Sequence, residues 1–211
     1  MLINGLLILG AYLLGSIPTS VWVGRAFYGK DIRDFGSGNA GASNTFRVLG
    51  KKAGIPVLIF DIFKGWAAVY LANFSSGLLV ESELVNMQLA LGVAALIGHI
   101  FPVYVGFKGG KGVATLLGAT IALQPEAALI AIAIFVLTLI ITKYVSLSSM
   151  IAGFSFPILI IVILQETTIS LVIFSMVIAV LLLFTHQKNI ERLLAREESK
   201  ANIKLKKKKS S

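Results

Sequence analysis

Hydrophobic residues gather in seven blocks along the chain, at Leu2–Val23, Ile55–Asn73, Met87–Val105, Val113–Leu123, Ala127–Ile141, Val145–Leu164 and Thr168–Thr185. Most are near the length of about 20 apolar residues that a helix needs to cross a hydrocarbon core of about 30 Å. The fourth covers only about 17 Å at helical rise, so it reads as a tilted or partly re-entrant helix, and six crossings is the competing count. The pattern predicts an all-α, polytopic integral membrane protein with seven transmembrane helices.

The polar connections between the blocks alternate in charge. Arg25 to Lys52, Lys108 with Lys111, Lys143, and the tail from Lys188 onward carry the basic residues. Phe74–Asn86, Gln124–Glu126 and Gln165–Thr167 contain no Lys or Arg and hold Glu81, Glu83, Glu126 and Glu166. Basic loops stay in the cytoplasm, which predicts an outside N-terminus and a cytoplasmic C-terminus. The first block lacks a basic flank and a small-residue cleavage site, so it reads as a retained span. Residues 1–195 form one domain in this reading, and 196–211 a basic tail.

Composition narrows the class. The chain is 56% hydrophobic and 14% charged, with a mean hydropathy of +0.88, where soluble domains carry about 25% charged residues. It has no cysteine and two histidines, and Asp31, Asp34 and Asp61 are its only aspartates. Disulfides, iron–sulfur clusters and zinc–thiolate sites are excluded, and neither a metal nor another cofactor is implied.

Two glycine-rich polar stretches interrupt the apolar pattern: Gly36-Ser-Gly-Asn-Ala-Gly-Ala-Ser-Asn-Thr-Phe-Arg47 and Gly106-Phe-Lys-Gly-Gly-Lys-Gly112. Both fall on the predicted cytoplasmic face, as does the polar run from His186 to Arg192. The first matches G-x-G-x-x-G, but that fingerprint has meaning only between a strand and a helix, and here it follows a membrane span. Ser37, Asn39, Asn44 and Arg47 supply more oriented polar groups than a flexible turn needs, and a guanidinium suits a phosphate. The second stretch lacks the first glycine and the final Ser or Thr of a P-loop, so no nucleoside triphosphate is implied. Glycines before an apolar helix still expose N–H groups and a positive dipole end to an anion. Lys111 adds a point charge, and the plain alternative is that Lys108 and Lys111 only mark the membrane boundary.

His99 lies inside the third block, in Gly-His-Ile-Phe-Pro, and reads as a support that hydrogen-bonds a neighbouring loop. Asp61 and Lys64 are three apart and pair on one helical face. His186 and Asn189 share that spacing and point the same way in a continuing helix. An imidazole titrates near cytoplasmic pH and is a candidate general base. The lysines from Lys204 to Lys209 read as an electrostatic tether to anionic lipid.

With these residues in view, the chain resembles the bacterial acyl-phosphate-dependent glycerol-3-phosphate acyltransferases, the PlsY family. The resemblance runs nearly end to end on three motifs: Gly36 to Asn44 with Arg47; Gly98-His-Ile-Phe-Pro102 continuing to Phe107-Lys-Gly-Gly-Lys-Gly-Val-Ala-Thr115; and His186-x-x-Asn-Ile-x-Arg-Leu193. Ser43, Thr185 and Arg196 depart from the residues common in that family. The resemblance implies seven transmembrane helices with cytoplasmic motifs. It also implies a reaction, in which acyl phosphate and sn-glycerol 3-phosphate give 1-acyl-glycerol 3-phosphate and phosphate. A partner enzyme that makes the acyl phosphate is implied too; nucleic acid is not.

On that basis Ser37, Arg47, Lys111, His186 and Asn189 are the expected catalytic residues. Gly36, Gly38, Asn39, Asn44, Lys108, Gly109, Gly110 and Gly112 are the expected substrate-binding set, supported by His99, Asp61 and Lys64. An acyl phosphate is already activated, so the protein has to align two anions and stabilise an oxyanion rather than supply a nucleophile. Two rivals remain at this point. An anion transporter places its polar groups near the midplane, often in repeated halves, whereas here they gather on one face. A phospholipid-headgroup transferase needs more aspartates for a divalent metal than this chain has.

Overall fold

The computed structural model describes residues 2–75 and 80–201. The described residues are helical throughout their regular structure: α1 Leu2–Gly15, α2 Thr19–Tyr28, α3 Ala42–Leu49, α4 Lys51–Tyr70, α5 Glu81–Ile100, α6 Val113–Leu123, α7 Pro125–Thr142, α8 Val145–Ile158, α9 Ile169–Thr185 and α10 Gln187–Leu194. The basic run Lys204–Lys209 lies outside the described residues.

Among the described residues, four helical segments are long and apolar enough to cross a membrane: Lys51–Phe74, Glu81–Val105, Pro125–Thr142 and Val145–Ile163. The pairs α1/α2 and α9/α10 reach that length only together and are bent by 41° and 60°, which raises the count to six. α6 is apolar but short. The first predicted span, Leu2–Val23, is thus a broken one. Pro18 carries no N–H and disfavours helix at the residue before it, so the chain turns between Gly15 and Thr19. In α8, Pro157 likewise disturbs the ladder, and the next turn widens: Leu159–Ile163 is a π-helix, with the Leu164 N–H donating to the Leu159 carbonyl at 2.8 Å.

Lipid tails are as apolar as the helices themselves, so close packing rather than the hydrophobic effect holds such a bundle together. Glycines at the crossings make that packing possible. A methyl group on Gly65 would sit 1.9 Å from the Thr115 carbonyl oxygen, and one on Gly118 would sit 1.8 Å from that of Ile62. The backbones of α4 and α6 therefore touch from both sides. Gly15 and Gly98 do the same for α1 and α5, against Ala95 and Tyr12. A second core, formed by Leu96 and Leu116 with Phe156, Ile160, Phe174 and Ile178, joins α5 and α6 to α8 and α9. Outward positions such as Ile59, Leu137, Ile140 and Phe184 are exposed, as lipid-facing residues are.

This packing brings the end of α6 that carries Lys111 against α4, α5 and the α9–α10 bend. Half of the first glycine-rich stretch is not a loop. Residues Ala42–Leu49 form α3, begun at Gly41 and strongly amphipathic, so Asn44 and Arg47 sit on a helix.

Candidate active site

The first stretch is shaped by Asn44. Its side-chain oxygen accepts from the Ser37 N–H at 2.9 Å, and its amide donates to the carbonyls of Ile32 and Phe35, both at 3.0 Å. It is 2% exposed. Its carboxamide thus holds the loop. Gly36 and Gly38 have φ of +62° and +72°, a region other residues enter at a cost. A side chain on Gly36 would also strike the Asn44 oxygen at 2.3 Å. Ser37 and Asn39 are half-buried, and Arg47 is exposed.

The second stretch is held from behind. The N–H groups of Gly109 and Gly110 donate to the carbonyls of Ile100 and His99 at 3.1 and 3.2 Å. They are thus engaged by the end of α5. Close approach explains these glycines: a methyl on Gly109 would lie 2.0 Å from the His99 oxygen, and one on Gly110 would lie 2.2 Å from His99 Nε2. Gly112, with φ of +81°, opens α6. Lys108 is exposed, whereas Lys111 turns inward.

His99, Asp61 and Lys64 form a buried chain beneath this loop. His99 Nδ1 is 3.1 Å from Thr115 Oγ1 and 3.8 Å from Asp61 Oδ1. Lys64 Nζ is 2.9 Å from Asp61 Oδ1 and donates to the Ile17 carbonyl at 2.9 Å, while Thr19 Oγ1 donates to Asp61 at 3.2 Å. Each charge has partners, as burial in an apolar bundle requires. Lys64 also braces the break before Pro18, where the Ile17 carbonyl accepts from Thr19 N–H as well.

Lys111, Asn189 and His186 meet across about eighty residues of sequence, a distance that the fold closes. Lys111 Nζ donates to Asn189 Oδ1. Asn189 Nδ2 in turn donates to Glu198 Oε1 at 2.7 Å, where Ser146 Oγ also donates at 2.6 Å. Arg192 Nε donates to the other Glu198 oxygen at 2.9 Å. Burial pushes the Glu198 carboxyl up, but the hydrogen bonds from Ser146, Asn189 and Arg192 outweigh it and hold the group below its ordinary value. Burial, with the charges of Arg192 and Arg47, lowers Lys111 to about 8 against the pull of Glu198.

His186 marks the bend between α9 and α10 and is 3% exposed. Its Nδ1 lies 2.9 Å from the Leu182 carbonyl oxygen. A carbonyl only accepts, so Nδ1 carries the proton and Nε2 presents a lone pair. Burial and the Lys111 ammonium lower this imidazole to about 4, which keeps it neutral near pH 7.

Sequence reasoning missed three contributors. Ser146 and Glu198 complete the polar cluster. Arg33, gripped by Asp31 at 2.8 and 3.0 Å, donates to the Val105 carbonyl at 2.8 Å and so ties together the segments that lead into the two glycine-rich stretches. The Arg33 guanidinium holds Asp31 far below the usual carboxylate range. A serine at the mouth of an apolar block was the available signal for Ser146.

The family described as glycerol-3-phosphate acyltransferase matches residues 5–196. A protein of that name from Fusobacterium nucleatum is 45% identical, over 90% of this chain and 93% of its own length. Glycerol-3-phosphate acyltransferase 2 of Bacillus anthracis is also 45% identical, over 93% of this chain and 98% of its own. The solved structure of the integral membrane enzyme PlsY in its glycerol 3-phosphate form has a TM-score of 0.83 at 36% identity, covering 94% of this chain and 96% of that one. The lysophosphatidic acid form gives 0.80 at the same identity, covering 93% and 94%.

Proposed function

The chain belongs to the glycerol-3-phosphate acyltransferase family, and we propose that it transfers an acyl group from acyl phosphate to sn-glycerol 3-phosphate at the Lys111–His186–Asn189 cluster. The single observation that carries this reading is the convergence of Lys111 and Asn189 beside Glu198, next to His186, whose Nδ1 is turned to the Leu182 carbonyl. Such a site combines positive charge for phosphate with a lone pair for a hydroxyl.

The glycerol 1-hydroxyl oxygen attacks the acyl carbonyl carbon, and the carbonyl–phosphate bond breaks. Phosphate leaves with the bonding pair, and 1-acyl-glycerol 3-phosphate remains. Lys111 and Arg47 neutralise the two phosphates so that they share one site, at an effective concentration no free solution reaches. Ser37, Asn39 and Asn189 donate hydrogen bonds near the reacting carbonyl and the phosphates. His186 Nε2 takes the hydroxyl proton, with a phosphate oxygen of the donor as the competing acceptor. The α6 helix begins just after Lys111 and adds its positive end.

The donor is tested by presenting purified enzyme with palmitoyl phosphate, palmitoyl-CoA and palmitoyl acyl carrier protein, each with glycerol 3-phosphate. Acylation from the acyl phosphate alone is expected. Acylation from either thioester, and none from the phosphate, would keep the reaction and overturn the donor.

We further propose one transmembrane domain of seven crossings over residues 1–195, with α6 and both bent pairs each counted once. Its N-terminus lies outside, and the three motifs face the cytoplasm. Because the chain has no cysteine, single-cysteine variants report topology without background. Lys30→Cys should react with a membrane-impermeant maleimide only from the cytoplasmic side, and Glu83→Cys only from outside. Labelling of both from one side would contradict the arrangement.

A further inference from the structure

The second glycine-rich stretch turns sharply before it reaches Lys111. Gly106 and Phe107 both have left-handed backbones, with φ of +72° and +59°. Glycine enters that region freely, whereas a bulky side chain does so at a cost. Phe107 is 56% exposed, so packing of its ring does little to hold it there. Hydrogen bonds around the turn do so instead. The Phe107 N–H donates to the Pro102 carbonyl at 2.9 Å. The carbonyls that flank the left-handed pair, those of Val105 and Lys108, both accept from Arg33 Nη1, at 2.8 and 3.4 Å.

That nitrogen is aimed by the rest of its guanidinium. Nε and Nη2 fork onto the two oxygens of Asp31 at 3.0 and 2.8 Å, the planar bidentate arrangement a guanidinium is built for. Asp31 Oδ1 also accepts from the Arg33 N–H at 3.0 Å, and Arg25 Nη2 holds Oδ2 at 2.7 Å. The backbone beneath is fixed in turn. Ile32 is fully buried, and its carbonyl accepts from Asn44, which shapes the first stretch. Among the described residues, no hydrogen bond other than those of Arg33 joins residues 31–47 to residues 102–112.

We propose that Arg33 is a positioning residue for acyl transfer: fixed by Asp31, it holds the left-handed turn at Gly106–Phe107 and so sets Lys111 in register with the first glycine-rich stretch. The proposal rests on the acyl-transfer reading above, in which groups from both stretches meet the substrates. The chain leaves α5 at Ile100 and is back against the Ile100 and His99 carbonyls at Gly109 and Gly110. Residues 101–108 therefore form a closed loop with the turn at its tip. Opening the turn loosens the closing bonds, and Lys111, the next residue, moves with them. A shift of about 1 Å in a group that aligns a substrate costs up to about a hundredfold in rate.

The test is a double-mutant cycle. Arg33→Lys keeps the charge but gives up the fork, since one ammonium cannot lie in the plane of the Asp31 carboxylate and also reach two carbonyls beyond it. Phe107→Gly lets the turn stand without support. Purified wild type, both single variants and the double variant are compared for kcat/KM with glycerol 3-phosphate at saturating palmitoyl phosphate. Arg33→Lys is expected to lower kcat/KM about tenfold in the native background, but less than about threefold in the Phe107→Gly background. The alkaline limb gives a second readout. Burial lowers Lys111 to about 8, and Glu198, Arg192 and Arg47, whose charges also act on it, are unaltered in every variant. A loosened loop admits water to the ammonium, so the limb should move to higher pH in Arg33→Lys and return in the double variant. Asp31→Asn leaves Arg33 in place but frees its fork, and should show the same loss and the same upward movement. Equal loss in both backgrounds with an unmoved limb, or wild-type kcat/KM in Arg33→Lys, would overturn the positioning role. A wild type that transfers no acyl group from any donor would overturn the acyl-transfer reading, and the positioning role with it.

Discussion

Replacing Lys111 by Met is expected to lower kcat/KM for glycerol 3-phosphate about a hundred- to thousandfold, the loss seen when one preorganised donor is taken from developing negative charge. Three features of the site make this the largest effect. Lys111 is the inward-facing cation of its loop, whereas Lys108 is exposed. Its ammonium is held by Asn189, a neutral partner, and the nearby Glu198 carboxylate is itself paired with Arg192, so the charge remains available to a ligand. The loop that carries it is fixed by hydrogen bonds from Gly109 and Gly110 to the end of α5, so little reorganisation is needed when a phosphate arrives. The pH dependence gives a second signature. Folding lowers Lys111 to about 8. The free enzyme therefore carries the charge below that pH and loses it above, so kcat/KM should fall on the alkaline side with the titration of one group. In Lys111→Met the alkaline limb should vanish along with most of the activity. A variant with near-normal kcat/KM, or one that keeps the same alkaline limb, would remove Lys111 from the site.

His186→Gln is expected to lower kcat by about two to four orders of magnitude, the range for loss of a positioned general base, while KM for glycerol 3-phosphate changes little. Glutamine is close in size and keeps a hydrogen-bonding group, so the polar surroundings at the α9–α10 bend survive. What it lacks is a nitrogen lone pair that accepts and keeps a proton. The imidazole is lowered to about 4 by burial and by Lys111, which makes it a weak base in the free enzyme. A phosphate dianion drawn in by the same lysine offsets that charge and raises it again. Near-normal turnover in His186→Gln would transfer the proton to a phosphate oxygen of the donor. Raised KM with unchanged kcat would make His186 a binding group only.

Apolar length and charge asymmetry made the helical membrane class legible, because both follow from the bilayer itself. The edges of the spans were less legible. The break at Gly15–Thr19 needed Pro18 to be weighed above a run of hydrophobic residues, and the π-turn after Pro157 has no marker beyond that proline. The chemical types of the site were readable too, and Lys111, His186 and Asn189 do come together. The division of labour within each motif was not. Asn44 and the N–H groups of Gly109 and Gly110 look like ligands in a sequence, and the fold shows the part they take in holding the chain to itself. A loop has to satisfy its own backbone before it offers anything to a substrate, and that accounting is invisible without coordinates. Glu198 was equally hidden. A carboxylate in a basic tail reads as surface charge, and only the fold sets it against Ser146, Asn189 and Arg192.

Direct transfer between two bound anions, with no acyl group parked on the protein, is the central claim. The most direct test follows phosphate release from palmitoyl phosphate by purified enzyme, at enzyme concentrations high enough to see a single turnover, with and without glycerol 3-phosphate. Direct transfer predicts no release until glycerol 3-phosphate is added, then one lysophosphatidate for each phosphate. A burst of phosphate equal to the enzyme in the absence of glycerol 3-phosphate, with the palmitoyl group left covalently on the protein, would contradict it.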